Sequence, residues 1–263
     1  AKVNGVAADY ADAVAAVAEV EKSGVALVPN FRDITTKRNS EIILAAYFDR
    51  NETGSSHYAI NALVVLANSV AATNIADLAT ANNVTNAQSA YQISPLSRSL
   101  FDANPTDKRI SSTYIWEIQA GKQSAAWIQK YRGTKYPEDR VPDDDVIVYR
   151  LADLYLVAAE AYAAQSNSAK SLEYLNKVRQ RAGIPNFTGT EKAKLEREIL
   201  DERGRELFFE NKRWYDLHRA HKSGVINVYE YVPNLKGKTT PLYWPVAQSV
   251  LAANPKMTQT QGY

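Results

Sequence analysis

Residues 149–185 read YRLADLYLVAAEAYAAQSNSAKSLEYLNKVRQRAGIP. In the first part, Leu151, Leu154, Tyr155, Ala158 and Tyr162 recur at the three- and four-residue steps of a helix. That spacing gathers them on one apolar face and predicts a helix from about Tyr149 to Ala164. The polar stretch from Gln165 to Ser168 reads as a turn. A second helix follows, with Ala169, Leu172, Leu175, Val178 and Ala182 on its apolar face. Gly183 is placed for a left-handed cap, and Pro185 blocks continuation. Two helices joined by a tight turn, within about 35 residues, have the size of one tetratricopeptide unit. Ala158, Ala161 and Ala169 are small enough to let the two helices approach closely. One such unit cannot bury its own face, so neighbouring helices are required. The expected fold class is therefore mainly all-α: tetratricopeptide-like helical hairpins with long irregular loops, stacked as an α-α superhelix.

Working outward, Tyr10, Val14, Val17 and Ala18 form a further helical stripe, with Gly24 as its cap. Residues 1–8 read as the end of a preceding helix with no visible start, so the sequence is expected to begin inside a helical pair. On the other side, a long charged helix is expected from Thr190 to about Asp216, with Leu195, Ile199, Leu207 and Trp214 facing inward. A short helix from Leu217 to Ser223 ends at Gly224. Pro241, Pro245 and Pro255 predict a mostly extended remainder. Between the helical regions, Glu41 to Phe48 reads as a short strand or buried extended segment. Residues 51–99 are rich in Asn, Ser, Thr and Ala, and long irregular stretches of this kind are often functional. Asn104-Pro105 and Pro137 mark turns. The expected organisation is a single domain over 1–263. Within it lie a helical end (1–24), an irregular, ligand-facing region (25–140), a helical repeat with charged helices (141–224) and an extended tail (225–263).

Composition removes several function classes. The 263 residues are 45% hydrophobic and 23% charged, as expected of a chain with a real core. The formal net charge is only +2, with no basic stripe of the kind that nucleic-acid binding needs. No apolar run reaches the roughly 20 residues of a membrane span; the longest, Ile60 to Ala72, is interrupted by Asn61, Asn68 and Ser69. Cysteine is absent, which excludes thiol catalysis, disulfides and Cys-ligated zinc. Tyrosine occurs 16 times against 6 phenylalanines, and tyrosine suits wet, half-buried surfaces.

The charged motifs read as structural. Glu202, Glu206 and Glu210 share a helical face, interleaved with Arg203, Arg205 and Arg213, and the spacing fits salt bridges that lock helices together. His218 and His221 stand three apart, but no third ligand is at hand, so no metal is expected. Asp143, Asp144 and Asp145 precede a helix-like run and read as capping groups. There is no serine elbow, phosphate-binding loop or dinucleotide fingerprint. The enzyme reading therefore has no positive support.

Four blocks of the last third resemble the SusD/RagB family. They are Tyr149 to Leu156 leading into Ala159-Glu160-Ala161, Leu175 to Pro185, Ile199 to Glu210 with Arg213-Trp214-Tyr215-Asp216-Leu217, and Asn254 to Tyr263. Asp107-Lys108-Arg109 is similar to the family's Asp-Pro-Arg step, with Lys108 in place of proline. Asn211 stands where many members have glycine. A looser match through Tyr10 to Ala13 and Asn39 to Ile43 reaches the N-terminus. Family members are usually about twice as long, so the resemblance implies a further N-terminal half bearing a lipidated cysteine.

What the resemblance implies is capture, without cofactor or covalent chemistry. Members bind glycans, or sometimes peptides, on the outer face of the bacterial outer membrane. They are held there by a lipid anchor and sit on a SusC-like TonB-dependent barrel transporter. The runner-up reading is a tetratricopeptide-like protein-interaction subunit of an outer-membrane assembly or peptide-uptake complex. Sugars stack their C–H faces on aromatic rings and hydrogen-bond neighbouring polar groups. Residues that offer this combination are His57, Tyr58, Asn61 and Tyr91, with Trp116 and Trp127 flanking a loop at Gly121. Trp214 is expected in the core, and Trp244 is expected to pack the tail onto the body.

Overall fold

The computed structural model describes residues 6–52, 64–65, 79–80, 92–137, 140–141 and 143–263. Its order begins with helix α1 (Ala7–Glu21), a 3-10 turn (Phe31–Thr35) and strands β1 (Ile42–Ala46), β2 (Val64–Val65) and β3 (Ala79–Thr80). Then come α2 (Pro95–Asp102), α3 (Ile110–Thr113), the strands β4 (Tyr114–Gln119) and β5 (Lys122–Ile128), and the short β6 (Thr134–Lys135) and β7 (Arg140–Val141). Strand β8 (Val146–Arg150) leads into α4 (Leu151–Ala164), α5 (Ser168–Ala182), α6 (Lys192–Glu206) and α7 (Arg213–Lys222). The C-terminal part holds α8 (Val228–Tyr231), a 3-10 turn (Pro233–Leu235) and α9 (Gln248–Ala253). The architecture is mainly helical, as expected.

Helix α4 is the centre. The expected single apolar face understates it, because Ala152, Leu156, Ala159 and Ala163 are buried as fully as Leu151 and Ala158. A helix apolar on all sides belongs inside a protein, and α4 packs against α1, α5 and α6 together. Alanine lets these neighbours come close: the Ser171 hydroxyl of α5 donates to the Ala159 carbonyl of α4 at 2.7 Å. Val17 of α1, Leu175 and Val178 of α5, and Leu195 and Ile199 of α6 complete this core. Helix α5 ends as read, with Gly183 left-handed at φ 73°.

Two helix expectations are corrected. The long charged helix is two helices. α6 stops at Glu206, and Phe209 and Asn211 then take left-handed φ values of 59° and 58°, a conformation that no right-handed helix passes through. The cause is visible at the helix end. The Lys130 ammonium donates to the carbonyls of Glu206 and Phe208 at 3.0 and 2.8 Å, meeting acceptors that a C-terminus leaves open. Nor do residues 6–8 end an earlier helix: Val6 is extended, and Ala7 and Ala8 already belong to α1, while residues 1–5 lie outside the described residues. Within the tail, expected to be mostly extended, lie the short α8, a 3-10 turn and α9.

The strands tie distant sequence together. β1 pairs antiparallel with β8, which sets Ile42 opposite Arg150. β4 and β5 form a hairpin through Ala120 and Gly121, both at positive φ (48° and 76°), the backbone of a type I′ turn. Asp143, Asp144 and Asp145 cap no helix. They precede a strand, and Asp143 and Asp145 are buried in loop hydrogen bonds.

Candidate functional site

The charged motifs converge in a buried ionic lattice. Arg109 reaches Asp107 at 2.6 Å, Glu202 at 2.5 Å and Glu206 at 3.0 Å. Arg150 reaches Glu41 at 2.7 Å, Glu206 at 2.5 Å and Glu210 at 2.8 Å. Arg181 bonds Glu41 at 3.1 Å and also pairs with Glu206. Arg179 and Arg205 share Glu198 and Glu202, and Lys130 pairs with Glu210. The side chains of Arg109, Arg150, Glu41, Asp107, Glu202 and Glu206 expose nothing to solvent. The expected locking role holds, but the arginine partners are mostly not those on the same helix. They come from α5, from the residue before α4, and from the Asp107–Arg109 step.

This lattice is poised against reaction. Burial alone would raise the Glu202 carboxyl, yet Arg109, Arg205 and Arg179 pull it down from 4.5 to about 2. Glu206 and Glu210 are likewise held below their ordinary value by arginines, with Lys130 adding to the pull on Glu210. Burial lowers Lys130 to about 8 against the opposing pull of Glu210. A general acid needs a raised carboxyl facing a cleft, and these carboxylates are ionised and sealed. The lattice fixes helices and loops in place.

Elsewhere, a groove of about 650 Å³ lies among loops, lined by Arg32, Asp33, Thr35, Thr36, Lys37, Arg132 to Lys135, and Asp144. Two tyrosines stand beside it. Tyr47 is 47% exposed, with Lys37 at 5.1 Å and Arg38 at 5.7 Å from its ring centroid. Its hydroxyl donates to Asp49 at 2.9 Å, and that bond raises the Tyr47 pKa. The Arg50 guanidinium lies 3.7 Å from the Tyr136 centroid, and the Tyr136 hydroxyl donates to Asp143 at 3.1 Å. Lys37, 3.8 Å from Asp143, links the two rings. Fixed rings beside hydroxyls, carboxylates and cations offer both stacking and hydrogen bonds to a polyhydroxylated ligand.

The hairpin does not bring Trp116 and Trp127 together. From the turn outward, Gln119 pairs with Lys122 and Ile118 with Gln123, but a bulge after Glu117 then shifts the register, so Trp116 pairs with Ala126 and Trp127 with Ile115. One extra residue exchanges the faces of everything beyond it. Trp116 lies on the face of Tyr114, at 6.5 Å, with Arg98 4.8 Å from its ring. Trp127 points the other way and donates its indole N–H to buried Glu117 at 2.7 Å.

The SusD family model matches residues 103–263, a span that holds the lattice's Asp107–Arg109 step and all four sequence blocks. The chain belongs to the SusD family. This SusD-family chain is 30% identical over 166 residues to the starch-binding protein SusD of Bacteroides thetaiotaomicron, a match covering 59% of this chain and 28% of that protein. A SusD superfamily structure from Parabacteroides distasonis superposes with a TM-score of 0.77 at 22% identity, covering 99% of this chain and 59% of that one. NanU of B. fragilis superposes at 0.72 with 26% identity and the same coverages. The chain thus spans little more than half of these solved relatives and about a quarter of the starch-binding protein.

Of the sequence-predicted site residues in this SusD-family chain, His57, Tyr58, Asn61 and Tyr91 lie outside the described residues. Tyr47, Tyr136 and Arg50 were not singled out by sequence reasoning, because isolated residues in loops carry no periodic signal. Two tryptophan expectations are corrected. Trp214 is 40% exposed and Trp244 84% exposed. The break after Glu206 starts α7 anew at Arg213, so Trp214 no longer shares the inward face of Leu195 and Ile199. Both tryptophans line a second groove of about 580 Å³ with Tyr215, Phe208 and Phe209. His218 packs edge-on against Tyr243, 4.7 Å between centroids, and His221 Nδ1 accepts from the Val228 N–H at 3.4 Å. Among the described residues, no three potential ligands converge on a metal-sized site.

Proposed function

We propose that this protein captures glycan at the outer face of a bacterial outer membrane, lipid-anchored and working with a SusC-like TonB-dependent barrel. It binds and hands on its ligand without covalent chemistry. The observation that carries the reading is the loop groove beside Tyr47 and Tyr136, in a chain whose relatives include a starch-binding protein. Sugar rings stack on the tyrosines, and Arg, Lys, Thr and Asp groups bond the hydroxyls. His57, Tyr58, Asn61, Tyr91 and Trp116 are further candidate ligand contacts on the strength of their residue types alone.

The test is calorimetric titration with neutral starch-derived oligosaccharides, for the wild-type chain and for Tyr47→Ala and Tyr136→Ala. Each variant is expected to weaken binding about tenfold, equivalent to about 1.4 kcal/mol. Unchanged affinity in both would remove this groove as the site. For the barrel partnership, the native protein is drawn from outer membranes in mild detergent. Recovery of a bait carrying acyl chains together with a TonB-dependent barrel supports it, and a bait that comes away alone counts against it.

A further inference from the structure

The two grooves are built from opposite materials. The walls around Trp214 and Trp244 include Leu207, Phe208 and Phe209. The walls of the loop groove are polar. Arg32, Lys37, Arg132 and Lys135 supply four cations against the two carboxylates of Asp33 and Asp144, and threonines with Gly133 make up the rest. Small-molecule sites are mostly apolar, with a few polar groups for orientation. A groove without an apolar wall holds its ligand by hydrogen bonds and charge.

The two signs of charge are also used differently. The aspartates at 143–145 are turned toward protein donors. Asp143 accepts from the Thr134 N–H and from the Tyr136 hydroxyl, each at 3.1 Å. Asp144 accepts from the Gly133 N–H, and Asp145 from the Phe48 N–H at 3.1 Å. Arg32 and Lys37 instead rest on neutral oxygens. Arg32 donates to the Gln129 and Ser111 carbonyls at 2.9 and 3.3 Å, and Lys37 donates to the Phe48 carbonyl. Lys37 is 3.8 Å from Asp143, beyond hydrogen-bond length. A carbonyl fixes a cation in place without cancelling its charge.

The rings carry the same sign. Arg50 lies over Tyr136 at 3.7 Å, and Lys37 and Arg38 lie over Tyr47 at 5.1 and 5.7 Å. A sugar that stacks on either tyrosine therefore enters a positive field. Guanidinium and ammonium groups make their strongest hydrogen bonds to ionised oxygens such as those of a carboxylate or sulfate.

We propose that this groove takes an anionic glycan, whose carboxylate or sulfate group is received by the cluster of Arg32, Lys37, Arg132 and Lys135. The inference rests on the glycan reading of the same groove and names the class of sugar within it.

The experiment is calorimetric titration of the chain with three probes. Tetragalacturonate carries only carboxylates, a κ-carrageenan tetrasaccharide only sulfates, and maltotetraose no charge. One of the two anionic probes is expected to bind about tenfold tighter than maltotetraose, and which one identifies the charged group. The preference is expected to shrink severalfold as sodium chloride rises from about 50 to about 500 mM. Lys135→Gln and Arg132→Gln are each expected to reduce it severalfold, and Lys135→Arg to retain it. Maltotetraose binding as tightly as both anionic probes would overturn this inference and leave the glycan reading standing. No binding of any probe would overturn both. Inorganic sulfate binding as tightly as the oligosaccharides would reduce the groove to a simple anion site and overturn the inference. An anionic preference unchanged in both Gln variants would place the charge elsewhere and overturn it too.

Discussion

Glu206 Oε1 lies 2.5 Å from Arg150 Nη1, and neither side chain has any contact with water. The same carboxylate serves Arg181, and its other oxygen serves Arg109. Taking such ions out of water costs several kcal/mol each, and only near-complete pairing offsets it. Glu206 is therefore where the lattice is most sensitive to loss of a charge.

Glu206→Gln keeps the shape and removes the charge, leaving three arginines facing a neutral amide. The expected cost is about 3–5 kcal/mol. Urea unfolding followed by circular dichroism reads it as a lower midpoint with an unchanged slope. A midpoint equal to wild type would mean that the arginines find other partners.

Acid should unfold the protein through the same carboxylates. Glu202 sits at about 2 in the folded state against an ordinary 4.5, and Glu206 and Glu210 are lowered too. Below about pH 4.5 the unfolded chain takes up protons that the folded one does not, so stability is complete above that value and falls as pH drops toward 2. Urea midpoints should be flat from neutrality to about pH 5 and then decline, and less steeply in Glu202→Gln. A flat profile down to pH 3 would contradict the depressed carboxyls.

Gly204 lies inside α6, where glycine normally costs stability. A Cβ there would come 2.6 Å from Leu100 Cδ1 and 2.9 Å from the Arg213 guanidinium carbon. Gly204→Ala should therefore destabilise by about 1–3 kcal/mol through overpacking, despite a helix-propensity gain of about 1 kcal/mol. A raised melting temperature would show that α2 can retreat.

Trp127→Phe removes a hydrogen bond to a buried carboxylate. The expected loss is about 1.5–3 kcal/mol of stability, with oligosaccharide affinity unchanged, because this ring faces away from Trp116. Weakened sugar binding in a fully folded variant would return Trp127 to the ligand surface.

Much of the helical frame was legible because α4 and α5 carry apolar periodicity and α5 ends in real stop signals, Gly183 and Pro185. The family blocks carried the rest of the fold class. The break after Glu206 was not legible, since charges at helical spacing run straight through it. The agent that ends α6, Lys130, lies 76 residues away in sequence. Asn211 was a partial clue: a position that tolerates glycine or asparagine suits a left-handed backbone. The faces of Trp116 and Trp127 turned on one bulge residue, and no pattern in the hairpin announces it. The groove tyrosines are brought together by tertiary contacts that single positions do not encode.

The lattice also governs how this protein can be divided. Glu41, the Asp107–Arg109 step and Lys130 come from before the central helix, and Arg181, Glu202, Glu206 and Glu210 from after its start, with Arg150 at the junction. A fragment cut near residue 149 would carry most of the helices and yet strand their charges without counter-ions. The helical third is thus no independent folding module. Removing either half is expected to leave buried charges unpaired, and so to cost the remaining half its stable fold.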